Sequence, residues 1–443
     1  MPFLDDDEVP SAAAGRAAAR FAHNQDAPGT EERKHHRRRL IVAGLLAVWG
    51  PGLVVMLADT DAGSLITAAQ SGARWGYRMV LPQLVLIPIL YFVQEMTIRL
   101  GVHTGRGHGA LIRERFGRGW AWLSATTLFL SGAGALLIEF AAVAGVGELF
   151  GISKDLTVPL AAALLVGIAL TGSYRRFERI GVALGLLELV FIPAMILAHP
   201  DPHAVVAGLG HFPLGNGSYM KLLAANVGAV IMPWMIFYQQ GAVIDKKLGR
   251  HEISSSRRDT AFGSVLTQIV MIVTIVTFAA TVGIHHPGAA LNGVVDMSKA
   301  LRPFLSAAGA KVFLGAAMLG AALVAALVAS LAGAWGLSEV AGWSHSLNER
   351  PSRSTARFYI TYAAVHVLGA AVVLMSVNLV NLVVDVMVMN ALLLPIVLGF
   401  LLLLEAKVLP RDQRMRGAHR VIATALCIAV IGFGLYVVPS TFG

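Results

Sequence analysis

The chain has 443 residues, of which 56% are hydrophobic and only 14% are charged, and its mean hydropathy is +0.68. This composition excludes a soluble globular protein and indicates an all-α polytopic membrane protein, because helices satisfy their own backbone hydrogen bonds within lipid. The net charge of +9 does not indicate a nucleic-acid partner, since the basic residues lie beside apolar runs and are not interleaved with aromatic side chains.

Residues 1–39 precede the first apolar run and are predicted to form a disordered, basic cytoplasmic tail. They are acidic at first, then rich in alanine, and they end in the run RKHHRRR at residues 33–39. Residues 1–32 contain no apolar segment of the kind found in a cleavable signal peptide. We therefore expect this tail to precede the membrane domain without contributing a span.

Eleven apolar runs follow the tail, and each is long enough to cross the hydrocarbon core as a helix of roughly 17 to 25 residues. The predicted spans cover residues 40–73, 79–100, 120–148, 156–172, 179–198, 220–245, 261–284, 309–340, 357–377, 379–404 and 420–438. Residues 40–443 are therefore predicted to form one membrane domain with eleven transmembrane helices. The single cysteine, Cys427, lies inside the last span, so a disulfide framework is excluded.

The basic residues predict the orientation of these spans, because Lys and Arg in short loops accumulate on the cytoplasmic side. With a cytoplasmic N-terminus, the tail and the inner loops together hold 28 of the 35 basic residues. An even number of spans would break this asymmetry. We expect an integral protein of a bacterial inner membrane, with its N-terminus in the cytoplasm and its C-terminus outside.

The first span contains the run ADTDAGS at residues 58–64, which is unusual for a membrane helix. Asp, Thr, Gly and Ser are poor helix formers, so the helix is predicted to break in this run, with Gly63 as part of the break. A charged carboxylate near the bilayer centre costs on the order of 3 kcal/mol, so Asp59 and Asp61 need a function or a partner. If both were ionised in one site, their repulsion would keep a proton on one until a cation arrives.

The sixth span contains a second break, at Pro233 within the run GAVIMPW of residues 228–234. Proline lacks a backbone donor and clashes with the preceding turn, so the helix is predicted to end near Met232. Breaks in the first and sixth of ten spans predict a LeuT-like fold of two inverted five-helix repeats, with the substrate held between half-helices at the midplane. The repeats are predicted to cover residues 40–198 and 220–404, and residues 420–438 form an extra helix.

The freed carbonyls and carboxylates of such breaks are typical of a cation site, because the C-terminal end of a half-helix is electronegative. Asp61 is the first candidate ligand, although it could instead cap the second half of the helix, a role that needs no charge. Asp59 has three interpretations: a second ligand, an attractor of cations, or a salt-bridge partner. Met232 offers a thioether, a soft ligand that favours transition metals over Mg²⁺ and Ca²⁺. Ser64 is as compatible with capping as with metal binding.

Several motifs of the chain occur together in one known family. Residues 50–77 contain GPG, DAGS and QSGARWGY, and residues 98–106 read IRLGVHTGR. Residues 174–180 read YRRFERI, and residues 228–234 read GAVIMPW. In combination these runs resemble the Nramp divalent-metal transporters, whose motifs include GPG, DPGN, Q-x-GA-x-x-GY, RLG-x-x-TGR and GA-x-x-MPH. The resemblance covers roughly spans one to ten and implies an eleven-helix LeuT-like transporter that takes up Mn²⁺ or Fe²⁺ together with protons.

The resemblance implies a metal site made by the two broken helices. Carried over position by position, its ligands fall on the side chains of Asp61, Ser64 and Met232 and on the carbonyl oxygens of Ala58 and Ala229. The proton-route acid of the third helix falls on Glu139. Asp59 is an additional carboxylate, at a position where the family usually has an uncharged residue.

The chain departs from the family at three further positions. Ser64 replaces the asparagine of DPGN, so that a hydroxyl on a shorter arm is expected to reach the metal through water. Trp234 replaces the histidine of MPH and cannot titrate, and we interpret it as a gate or as a packing residue. Ala142 stands where the third helix usually carries a second acid.

Other polar residues inside the spans are candidates for proton transfer, since intramembrane acids are functional candidates by default. Glu139, Glu188 and Asp385 belong to this group. Glu95 belongs to it as well, or it pairs with Arg99 one helical turn away. Amide side chains that could supply oxygens, or link helices by hydrogen bonds, are Gln239, Gln268, Asn381 and Asn390.

The leading hypothesis is a secondary transporter that imports Mn²⁺, with Fe²⁺, by alternating access in symport with protons. The alternatives are a related Mg²⁺ transporter, favoured by the altered DPGN motif and by Asp59, and an uncoupled uniporter, favoured by Trp234. A carrier of organic substrates, a pore and an intramembrane enzyme explain the paired breaks and the midplane aspartate less well, and the sequence lacks common hydrolase and nucleotide-binding motifs. We expect a monomer in membrane lipid, without a cofactor and without a nucleic-acid partner.

Overall fold

The computed structural model describes residues 51–286, 288–291, 293–375 and 379–442, and every regular element in these residues is a helix. The prediction of an all-helical chain is therefore confirmed for the described residues. The predicted tail, residues 1–39, lies outside them.

Seventeen α-helices follow one another in the described residues, and they are numbered α1 to α17 in chain order. Their bounds are α1 Pro51–Asp59, α2 Ala62–Trp75, α3 Val80–Thr104, α4 His108–Phe116, α5 Arg118–Leu149, α6 Lys154–Leu170, α7 Tyr174–Gly185, α8 Phe191–Leu197, α9 Pro202–Gly208, α10 Gly217–Val230, α11 Pro233–Asp245, α12 Ile253–Phe278, α13 Val294–Leu301, α14 Ala307–Ala341, α15 Ala356–Leu374, α16 Leu379–Val408 and α17 Gly417–Phe442. Turns of 3-10 helix at Gly76–Met79, Leu186–Val190 and Arg250–Glu252, and a π-helical turn at Ala279–Gly283, connect some of them.

The first and sixth predicted spans are both interrupted, as their sequences predict. α1 ends at Asp59 and α2 begins at Ala62, while α10 ends at Val230 and α11 begins at Pro233. Proline suits the first position of α11, because the amide of that residue has no helical acceptor in any case. Each break is therefore only two residues long, and each leaves a pair of half-helices.

Nine stretches of the described residues are long and apolar enough to cross a membrane, whereas eleven spans are predicted. The difference has two sources. Ala62–Thr104 forms one stretch that contains the second half of span one and the whole of span two. The predicted fourth span corresponds to α6, whose 17 residues are at the lower limit for crossing the hydrocarbon core.

The half-helices form the centre of the bundle. Every residue of α1 is buried, as are residues 62–73 of α2 and residues 233–243 of α11. The long helices pack around them, α12 against α1 and α2, and α16 against α10. By contrast, α15 and α17 expose large apolar side chains such as Ile360 and Val421, as expected of helices that face lipid.

Two glycines allow the half-helices to approach their neighbours at backbone distance. A methyl group at Gly72 of α2 would overlap the carbonyl oxygen of Ile275 in α12, and one at Gly228 of α10 would overlap that of Met387 in α16. Small residues are the usual means of close packing between membrane helices, since apolar side chains gain little by leaving lipid. α2 and α10 are therefore each fixed by close contact with the backbone of a long helix.

We expect Gly228→Ala to destabilise the protein, because the added methyl group meets backbone atoms of α16 that cannot move aside alone. Overpacking of this kind costs about 1–3 kcal/mol. The measurement is the midpoint of thermal unfolding of the detergent-solubilised protein. Gly399→Ala, on α16 itself, is the matched control, since nothing lies within 4 Å of a methyl group there. Equal midpoints for the two variants would contradict the close contact.

Candidate functional site

Asp61 is the N-cap residue of α2 and lies in the first break. Its Oδ1 accepts a hydrogen bond from the Ser64 amide at 2.6 Å, which satisfies one of the amides left unpaired at a helix N-terminus. Its Oδ2 is buried and has no hydrogen-bond partner among the described residues. The positive end of the α2 dipole favours a carboxylate at this position, and the second carboxylate oxygen is left for another ligand.

The first break also exposes the carbonyl of Ala58. In a continuous helix this oxygen would accept from the amide of Ala62, but that amide donates to Glu139 Oε2 at 3.3 Å. Glu139 of α5 therefore reaches the same helix N-terminus that Asp61 caps.

The second break exposes the carbonyl of Ala229. Four residues further on, where a continuous helix would supply an amide donor, the chain has Pro233. The hydroxyl of Ser64 donates to the Ala229 oxygen instead, at 3.0 Å. Met232 is the N-cap of α11, with extended backbone and a fully buried side chain. The two breaks are therefore joined directly by the hydrogen bond between Ser64 and Ala229.

Another contact of the first break runs toward the fifth predicted span. The hydroxyl of Thr60 is hydrogen-bonded to Glu188 Oε2 and lies 3.1 Å from the carbonyl oxygen of Leu57. Glu188 is fully buried in the 3-10 turn Leu186–Val190, which connects α7 to α8. The sequence places Glu188 only among the general proton-transfer candidates, because its contact with the break depends on how the helices pack.

Among the predicted site residues, Asp59 has the fewest neighbouring groups that offset the negative charge of its carboxylate. It is the last residue of α1, it is buried, and neither of its carboxylate oxygens has a hydrogen-bond partner among the described residues. The negative end of a helix dipole disfavours an anion at this position. The described residues also provide no salt bridge for it, so the salt-bridge interpretation gains no support.

Four buried acids thus lie around the first break without a cationic side chain. They are Asp59, Asp61, Glu139 and Glu188. In the part of the chain that the structure describes, no Lys, Arg or His forms an ion pair with any of them. Nor do three His, Cys, Asp or Glu side chains of that part converge closely enough to hold a metal ion by themselves. A divalent ion would need carbonyl, hydroxyl or thioether ligands in addition to carboxylates.

The remaining break residues have packing roles in the structure. Gly63, predicted as part of the break, lies in the first turn of α2, where a methyl group would overlap the side chain of Met387. Trp234 is fully buried in the first turn of α11, and its Nε1 has no hydrogen-bond partner among the described residues. The unwound residues of the first break are Thr60 and Asp61, and Gly63 already lies within α2.

Asp385 does not join the four buried acids. Its carboxylate lies 2.8 Å from Lys221 Nζ, and its side chain is 62% exposed. An ion pair at such an exposed position contributes at most about 1 kcal/mol to stability. Asp385 therefore links the surfaces of α10 and α16. Its contact with Lys221 does not support the predicted role in a proton route.

Glu95 pairs with Arg99, as one of its two interpretations predicts, but within a larger network. The carboxylate of Glu95 is 3.7 Å from Arg99, accepts from Arg257 Nε at 2.7 Å and lies 3.4 Å from His419 Nε2. These contacts join α3 to α12 and α17. Glu95 thus has the cationic partners that the four central acids lack.

The predicted amide side chains have mixed environments. Gln239 Nε2 donates to Thr260 Oγ1 at 3.4 Å, which links two helices as expected. Gln268 is buried with no hydrogen-bond partner among the described residues, and Asn390 contacts the sulfur of Met387. The side chain of Asn381 lies outside the described residues.

A polar network beside the second break is not anticipated from the sequence. Gln83 Nε2 of α3 donates to Asn226 Oδ1 of α10 at 2.6 Å, and Asn226 Nδ2 donates to Ser71 Oγ of α2 at 2.8 Å. Asn226 lies only two residues before the GAVIMPW run, and this proximity is the one sequence signal that could have singled it out. The network holds the half-helices α2 and α10 against α3.

Comparison with known sequences gives one family. The family described as Nramp, natural resistance-associated macrophage protein-like, matches residues 52–440. A Klebsiella pneumoniae protein named divalent metal cation transporter MntH is 27% identical over 302 residues, which cover 65% of this chain and 71% of the relative. A protein of the same name from Verminephrobacter eiseniae is 25% identical over 435 residues, which cover 92% of each chain.

Two solved structures share the fold. An Eremococcus coleocola manganese transporter gives a TM-score of 0.73 at 18% identity, covering 90% of this chain and 87% of that one. MhsT in complex with L-phenylalanine gives 0.61 at 14% identity, covering 88% and 98%. Identities this low establish the fold alone, and they confirm the predicted LeuT-like architecture. Because the family match extends over nearly all of the membrane domain, the chain belongs to the Nramp family.

Proposed function

We propose that this protein is a secondary transporter that carries a divalent metal ion across the membrane by alternating access. The main support is Asp61 Oδ2, a buried carboxylate oxygen without a partner among the described residues, next to the joined helix breaks. The names of the relatives and of the manganese transporter with the same fold support the same class of cargo. Membership of the Nramp family also confirms that the chain is not an enzyme.

We infer that the ion is held by side-chain and backbone groups that the two breaks expose. The proposed ligands are the side chains of Asp61 and Met232 and the carbonyl oxygens of Ala58 and Ala229. Ser64 donates its only hydroxyl hydrogen to Ala229, so its oxygen lone pairs are available to the ion directly or through water. Asp59 is the candidate for an additional carboxylate ligand, because both of its oxygens lack partners among the described residues.

The proposed cargo is Mn²⁺, with Fe²⁺, because Met232 adds a soft thioether to otherwise hard oxygen ligands. Mg²⁺ is the alternative, since it prefers six oxygens and retains several waters. The extra carboxylate of Asp59 and the hydroxyl of Ser64 favour that alternative. An organic substrate with a carboxylate is a poor fit, because the buried carboxylate of Asp61 would repel it.

Coupling to protons is proposed to involve the pair of Asp61 and Glu139. Both carboxyl groups accept from amides at the N-terminus of α2, so a divalent ion on Asp61 would disfavour a proton on either of them, and binding of the ion would release that proton. Trp234 cannot take over the role of the family's histidine. An uncoupled uniporter is therefore the alternative, and it requires metal influx without movement of protons.

The proposed setting is a monomer in a bacterial inner membrane, with the N-terminus in the cytoplasm and the C-terminus outside. The distribution of basic residues supports this orientation. In this topology the end of α3 and the starts of α12 and α17 all lie on the inner side, in agreement with the network around Glu95. The inverted repeats, residues 40–198 and 220–404, and the extra helix, residues 420–438, belong to the same proposal.

We expect Asp61→Asn to abolish binding and uptake of Mn²⁺. Asparagine caps a helix about as well as aspartate, so the change keeps the cap of α2 and removes the charge that a metal ion needs. Binding is measured by calorimetry on the purified protein, and uptake is measured in proteoliposomes. Glu148→Gln, at an exposed position near the end of α5, is the control and should behave as the unaltered protein does. Undiminished affinity in the Asp61 variant would mean that Asp61 is only a cap.

We expect Met232→Leu to lower uptake of Mn²⁺ more than uptake of Mg²⁺, because leucine has a similar volume but no sulfur. The measurement is competitive uptake of the two ions into proteoliposomes at equal concentrations. Met271→Leu, a buried change in α12, is the matched control. The Mg²⁺ alternative is correct if the unaltered protein takes up Mg²⁺ as fast as Mn²⁺ and neither variant changes the ratio of the two uptake rates.

A further inference from the structure

Glu188 occupies a special position in the fifth predicted span. The 3-10 turn Leu186–Val190 carries it, and this turn packs against the long helix α14. One turn earlier, Gly185 allows the span to approach Leu57 of α1 closely. This approach brings the carboxyl group of Glu188 into hydrogen-bonding contact with Thr60, which lies between Asp59 and Asp61.

The hydrogen bonds of Thr60 bear on the protonation state of Glu188. The Thr60 hydroxyl has one hydrogen but two acceptor neighbours, the carbonyl oxygen of Leu57 at 3.1 Å and Glu188 Oε2. It can donate to only one of them at full strength. Both contacts are complete hydrogen bonds when Glu188 carries a proton and donates it to Thr60 Oγ1, while Thr60 donates to Leu57.

The surroundings of Glu188 also favour the protonated form. It is fully buried, and its Oε1 has no hydrogen-bond partner among the described residues. An ionised carboxylate in such a place is costly unless a cation compensates it. The charged groups that interact with it from α1, the break and α5 are Asp59, Asp61 and Glu139, all of them acidic.

The helices that pack against this turn add no compensating cation nearby. The sequence of α8, Phe191–Leu197, has no titratable residue. The titratable residues of α14 are Lys311 and Glu339, which lie near its two ends, and those of α7 lie at residues 174–179, in its first two turns. A cation that balances the charge of Glu188 must therefore come from outside the described side chains.

We propose that Glu188 is a second proton-binding group of the transport site, which holds a proton while the metal site is empty and releases it when a divalent ion binds. This inference rests on the proposed metal transport. In the release step the O–H bond of Glu188 breaks and the proton passes to solvent. The Thr60 hydroxyl then turns from the Leu57 carbonyl to the carboxylate, and Thr60 keeps its own hydrogen throughout. Neither Thr60 nor Leu57 is a proposed metal ligand.

The proposal gives the chain a titratable group on the side of the break that faces the fifth span. Glu139 contacts the first residue of the half-helix α2, whereas Glu188 contacts Thr60, just after α1. Proton release from Glu188 would therefore change the hydrogen bonding of the last turn of α1. Binding of the ion and the conformation of the half-helix α1 are thereby linked through the hydroxyl group of Thr60.

The test counts the protons released for each Mn²⁺ ion bound. The full chain in detergent is titrated with Mn²⁺ by calorimetry at one pH in buffers of different ionisation enthalpy, because the change of the measured heat with that enthalpy gives the number of protons released. Glu188→Gln keeps the volume and an acceptor for Thr60 but cannot release a proton. We expect it to bind Mn²⁺ and to release up to one proton fewer than the unaltered protein. The control, Glu148→Gln, should release the unaltered number.

A second pair of variants covers the case in which Glu188→Gln does not fold. Thr60→Val removes the donor that stabilises ionised Glu188, so proton release should fall at the same pH, and Thr60→Ser should restore it. An unchanged proton count in Glu188→Gln, or in Thr60→Val if the former does not fold, would overturn the proposal. Failure of the proposed function is distinguishable, because the unaltered protein would then give no heat of binding with Mn²⁺ or Mg²⁺.

Discussion

Backbone groups that a broken membrane helix leaves unpaired are the constraint on which the rest of this structure depends. In hydrocarbon such a group costs several kcal/mol, so a break persists only where other groups replace the lost hydrogen bonds. Glu139 accepts from the amide of Ala62, and Ser64 donates to the carbonyl of Ala229. The side chains that compensate the two breaks are therefore also the ones that surround Asp61, and the candidate metal site follows from the same hydrogen bonds.

The centre of the bundle and the end that holds Glu95 differ in how their buried negative charges are balanced. Buried Glu95 is paired with Arg99 and Arg257, so its charge is neutralised within the protein. At the centre, the acids around the break form no ion pair with a Lys, Arg or His of the described residues. Around Glu95, the arginine side chains balance the charge and link helices. Around the first break, any negative charge must be balanced by mobile cations, which are metal ions and protons. This contrast connects the proposed metal site to the proposed role of Glu188.

The features predicted correctly from the sequence are those with a local cause. Pro233 lacks an amide hydrogen wherever it lies, so the second break and the exposed Ala229 carbonyl follow from the sequence alone. The cap at Asp61 is equally local, because it depends on a residue three positions away. The contact between Thr60 and Glu188 joins residues 128 positions apart, and no spacing rule anticipates it. The exposed position of Asp385 could not be predicted either, because lipid-facing and core-facing sides of a membrane helix are both apolar.

By itself, the sequence determined that the chain is a helical membrane protein with two broken spans and with carboxylates at one of them. Those properties depend on the composition and on neighbours within one helical turn. Only the tertiary structure decided which acids lie close together. In it, Ser64 and Ala229 join the two breaks, and Glu139 and Glu188 contact the first break. Asp385, in contrast, is exposed. The physical reason is that the rotation of an apolar helix about its axis is set by close packing, as at Gly72 and Gly228, and leaves little trace in its hydrophobic pattern.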